Sequence, residues 1–168
     1  MMIRERLSPS LLAELYELEE DSYRLSLREA RRLGSGPPAT ALRAVAAHAN
    51  EALEELPAVA RVRRVRLGSA SALALDTLRR VRDVVVDQFV DHEHAYRRAL
   101  TALRRGLDLG RLIHAAARDE GDDALAAWCQ HWVSGRERLV DAAAAELDWF
   151  ARHPFFARLP GTPLPSMP

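Results

Sequence analysis

The sequence predicts an all-α protein: an antiparallel four-helix bundle of two hairpins joined by a crossover at 57–70. Three observations carry this. Apolar residues recur at helical spacing through most of the 168 residues. The best candidate for a strand, Val84-Val85-Val86, lies inside a helical stripe rather than in an alternating pattern. Turn-forming residues then cut the chain at Gly34-Ser35-Gly36-Pro37-Pro38, at Gly68-Ser69 and at Gly121. The pieces left are of helix length. They assign one helical domain to residues 1–154 and a short Pro-rich C-terminal tail to 155–168.

The first helix opens at Ser8-Pro9, read as a Ser cap followed by Pro at the first helical position, where its missing N–H costs nothing. Leu12, Leu15, Ser22, Leu25, Leu27 and Leu33 give its inner side. A second helix starts near Ala39, with Leu42, Val45, Ala49, Leu53 and Leu56 in one stripe, and Pro57 breaks or kinks it. Val59, Val62 and Val65 then recur every three residues among arginines, as a short amphipathic helix or an exposed connector. From Ser71 a long stripe runs through Leu75, Leu78, Val81, Val85, Phe89, His92, Tyr96, Ala99 and Leu103. One helix over 71–119 would measure on the order of 70 Å, against ~45 Å for the last helix. A break or kink follows, placed at Gly106–Gly110. The alternative keeps both glycines as a small contact face inside the helix and breaks the chain near Asp87. The last helix runs from about 122 to 152 with Leu125, Trp128, Trp132, Leu139, Leu147 and Phe150 on its apolar side, and His153-Pro154 closes it.

Composition limits the chemistry. The chain is 48% apolar and 29% charged, and its 24 basic and 24 acidic residues cancel. Neutrality argues against a whole-domain nucleic-acid footprint. Every basic residue is Arg, so Schiff-base and phosphate-loop lysine chemistry is excluded. The single cysteine, Cys129, allows no internal disulfide and no thiolate cluster. No signal-like or membrane-length apolar run is present, which gives a cytoplasmic expectation.

The richest set of potential metal ligands is Asp87, Asp91 and His94, which share one helical face. His48 and Glu51, three apart on the second helix, could complete a divalent-cation site. The bland alternative is a solvated charged face. His92, between Phe89 and Tyr96, and Arg136, between Trp132 and Leu139, fall on apolar sides, with Glu146 at the edge of Arg136's side. Buried arginines take carboxylate partners. An interior polar network of His92, Arg136 and Glu146 is therefore expected, with Asp87, Asp91 or Glu19 as the partner of Arg136. Arg61, Arg63, Arg64 and Arg66 make a local basic patch.

The two hairpins and crossover, the acidic first-helix residues Glu14, Glu17 and Glu20, and the stretch Asp91 to Leu103 together resemble the ferritin-like superfamily of bacterial four-helix bundles. Metal-binding members carry a Glu-x-x-His motif on each of two helices. Here no Glu has His three residues later: Glu93 is followed by Tyr96, Glu51 by Glu54 and Glu146 by Trp149. The resemblance therefore implies the architecture without the usual di-metal centre.

The expected function is that of a non-catalytic helical bundle acting through self-association, most simply as a homodimer, or through a protein partner, with no cofactor. The alternative is a metal-binding protein using Asp87, Asp91, His94, His48 and Glu51 with a divalent metal. A weaker alternative is binding of nucleic acid or an acidic partner through Arg61, Arg63, Arg64 and Arg66.

Overall fold

The computed structural model describes residues 7–68 and 91–160. Over these the chain is helical: α1 (Ser8–Leu33), α2 (Pro37–Val62), α3 (His92–Glu120), α4 (Asp123–Ala145), and the short α5 (Leu147–Arg152) and α6 (Pro154–Ala157). One isolated bridge, Asp91 to Pro160, ties the last described residue to the start of α3. Helix α1 packs on α2 and α3, and α4 packs on the same two, pairings compatible with a bundle. Among the described residues no helix is long and apolar enough to cross a membrane.

The helix ends show why the chain stops where it does. Gly121 adopts φ 72°, the left-handed conformation that closes α3, and Asp122 then accepts from Leu125 N–H at 3.0 Å to start α4. Asp91 caps α3 by accepting from His94 N–H at 3.0 Å. The expected Ser8 cap of α1 is corrected: Ser8 is the first helical residue and is buried. Its role as acceptor passes to Glu120 at the far end of α3, whose carboxylate takes the Leu7 N–H at 2.8 Å and the Ser8 N–H at 3.1 Å. A carboxylate there also meets the positive end of the α1 dipole.

Three further readings change. Helix α2 begins at Pro37 and continues through Pro57 to Val62, so the proline does not end it, and Val62 is 81% exposed rather than part of a stripe. Helix α3 runs unbroken through Gly106 and Gly110. The small-face alternative holds at Gly110, where an added Cβ would lie 2.3 Å from the Trp132 ring. The break near Asp87 and the stripe from Leu75 to Phe89 lie outside the described residues. The last helix divides at Glu146, between α4 and α5.

The core has two apolar clusters. One gathers Leu12, Leu15, Leu56, Ile113, Leu125 and Trp132; the other gathers Leu42, Val45, Tyr96, Leu100, Val140 and Phe150. Along α1, Glu19, Ser22 and Ser26 fall between the residues of the first cluster and those of the second. On α4, Arg136 does the same. A polar level thus separates two apolar ones.

Candidate functional site

The polar level centres on Arg136, 1% exposed. Its guanidinium donates from Nη2 to Glu19, also 1% exposed, and from Nη1 to Ser22 Oγ at 3.0 Å, while its Cζ lies 5.0 Å from the Trp132 ring centroid. The heptad-like spacing of Glu19, Ser22 and Ser26 turns all three toward the interior, whereas Glu14 and Glu17 are exposed. Burial pushes the Glu19 carboxyl up, and the charge of Arg136 opposes that shift. Burial likewise lowers Arg136, opposed by Glu19. The pair is mutually neutralising, and of the three expected carboxylates Glu19, contributed by α1, is the partner of Arg136. The buried Arg136 Nε and Ser26 Oγ have no hydrogen-bond partner.

His48 belongs to the same level, its ring 5.9 Å from Trp132 and against Gly135, where an added Cβ would sit 2.7 Å from Nε2. Burial, then the charges of Arg136, His131 and Arg138, lower it to about 4. It is a neutral packing group beside the ion pair. The thiol of Cys129 is buried and pushed up to about 12, which leaves it a thiol at neutral pH.

The expected interior network is redrawn. His92 is buried but stands apart from Arg136: its ring packs edge-on to Phe156 at 4.8 Å, and neither ring nitrogen has a partner. Burial, then Arg32, lower its pKa, with Glu29 and Asp91 opposing. Glu146 is half-buried at the junction of α4 and α5, not beside Arg136. The network is instead Arg136, Glu19 and Ser22.

Of the expected metal ligands, Asp91 is a helix cap, His94 and Glu51 are exposed, His48 is in the polar level, and Asp87 lies outside the described residues. Among the described residues no group of three or more His, Cys, Asp or Glu side chains is placed to hold a metal ion. The basic patch divides in the same way. Arg63 forms a two-pronged ion pair with Asp122, at 2.6 and 2.7 Å, and donates to Val59 O at 2.8 Å. Arg61, Arg64 and Arg66 are exposed, and Arg64 has φ 57°. Val59, Val65 and Leu67 pack on the first cluster, so this segment is docked through those three side chains and Arg63, with Val62 left exposed.

One surface feature escaped the sequence. The aromatic residues of the last helices are at least partly covered: Trp132 and Phe150 are buried as their spacing requires, half-buried Trp128 donates to Glu55 at 2.7 Å, and half-buried Trp149 stacks on His153 at 4.1 Å. Phe155 is the exception, 82% exposed. Beside it an open groove of about 360 Å³ has a floor of Leu147, Phe150, Ala151, Pro154 and Ala157. Its rim carries Asp91, Glu93, Arg97 and Arg158. The cue available in sequence was the pair Phe155-Phe156 after His153-Pro154. That pair does not say which ring turns inward: Phe156 packs on His92 and Trp149. Comparison with protein-family models, curated proteins and solved structures finds no match for this chain.

Proposed function

We propose that this chain is a non-catalytic helical-bundle protein that works by self-association. The observation that carries the reading is Phe155, a large apolar side chain held 82% exposed on a helix at the end of the molecule. With the apolar groove beside it, rimmed by Asp91, Glu93, Arg97 and Arg158, the ring belongs to a contiguous apolar patch with a polar rim, the kind of surface that marks association. The interior supports the same reading: Arg136 and Glu19 neutralise each other while both are buried, an arrangement that holds the fold. The packing of α1 on α2 and α3, and of α4 on the same two, supports an antiparallel four-helix bundle of two hairpins, ferritin-like in architecture alone. A two-fold dimer is the simplest closed assembly.

Sedimentation velocity across a concentration series tests this. The expected species at tens of micromolar has about twice the 18.8 kDa chain mass. A species of single-chain mass throughout the series contradicts the reading.

A further inference from the structure

Two observations at one end of the molecule fit each other. Phe155 projects into solvent from α6, 82% exposed, between Pro154 and Ala157, which both line the neighbouring groove. The groove is apolar on its floor, open, and at about 360 Å³ large enough for a phenyl ring, yet Phe155 of the same chain stands outside it. A projecting ring and an apolar groove that no described residue fills, side by side on one surface, are what a two-fold contact requires, since each copy must offer both halves of the fit. The rim charges have the same self-complementary character. Glu93 and Arg97 pair across one turn of α3, and Arg158 has no ion-pair partner among the described residues. An acid and an unpaired guanidinium on one rim let a two-fold copy set Arg158 against the acidic side of its partner.

We propose that two copies of this chain associate by exchanging Phe155, each ring seated in the groove between α5, α6 and the start of α3 of the other copy. This rests on the self-association reading above and assigns it a surface. Two exposed positions test it without touching the core. Phe155→Asp places a charge where the ring would be buried, and Ala151→Trp, at an exposed position of the apolar floor, fills the groove. Sedimentation of the full chain should show a dimer for the natural sequence. Both variants should weaken it about 30-fold or more, as loss of a buried aromatic anchor does. Melting temperature at low protein concentration and far-UV circular dichroism should match the natural chain, which separates a lost contact from a lost fold. A natural chain that is monomeric overturns the self-association reading, and leaves the groove to residues 161–168 or to another protein. A natural dimer that both variants preserve overturns only the Phe155 exchange. A natural dimer weakened by both variants, at unchanged melting temperature, supports it.

Discussion

The two ends of this molecule are closed by different means. At one end, where α1 and α4 begin and α2 and α3 finish, charged groups latch the chain. Glu120 takes the first N–H groups of α1, and Arg63 grips Asp122 with two nitrogens. At the other end α5 packs on α2 and α4 and α6 packs on α3, with the rings of Trp149, Phe150 and Phe156 in contact. Among the described residues that cover leaves a groove open and the Phe155 ring outside. Directional bonds between fixed partners complete the first end within one chain. Apolar cover is non-directional, so the second end can be completed by another copy as readily as by its own residues.

The largest expected loss of stability comes from the polar level between the two ends. Arg136→Met keeps much of the volume but strands Glu19 in the interior. Breaking a buried pair from one side costs about 3–5 kcal/mol, so urea or thermal unfolding should show a large loss. A change within about ±0.5 kcal/mol would place Arg136 with ordinary surface residues. Next are the glycines of α3. Gly110→Ala drives a Cβ into the buried Trp132 ring and should destabilise by about 1–3 kcal/mol. Gly106→Ala meets nothing within 4 Å and should stabilise by roughly 0.5–1 kcal/mol. Opposite signs in matched melts would confirm that one glycine is a contact face and the other only a helix residue. At the latched end, Arg63→Ala removes a partly exposed pair and should cost about 1 kcal/mol, less in high salt.

The pH dependence sharpens the same picture. His48 titrates near 4 in the folded chain against ~6.5 unfolded. Between those values the unfolded state binds more protons, so His48 lowers stability as pH falls from about 6.5 toward 4 and contributes no such loss above 6.5. His48→Gln should flatten that part of the stability–pH curve, read by chemical denaturation at several pH values. Phe155→Asp has the smallest expected effect on the fold, within about ±0.5 kcal/mol for an exposed position.

Helical periodicity made most of the architecture legible before the structure. Leu12, Leu15, Leu42, Val45, Leu125 and Phe150 are inside as their spacing requires. Burial of Arg136 and His92 was legible for the same reason, because helical position decides which side a residue shares with apolar neighbours. The pairing of Arg136 was not. Glu19 lies 117 residues away, and nothing local distinguishes it from the two aspartates. Ser8 failed as a cap because Glu120, 112 residues distant, supplies the acceptor. The Gly106–Gly110 break failed because glycine lowers helix propensity by only about 1 kcal/mol, less than Trp132 packing contributes at Gly110. Phe155 and Phe156 are adjacent and chemically identical. Only the fold of α6 turns one toward His92 and the other to solvent.

The most direct test of the central claim is to follow backbone amide chemical shifts while the natural protein is diluted. Shifts should change with concentration at the groove end, around Glu93, Arg97, Ala151, Phe155 and Arg158. They should stay fixed at the latched end, around Ser8, Arg63, Glu120 and Asp122, and at Arg136. Changes centred on the latched end, or none at any residue, would contradict an open end completed by a second copy.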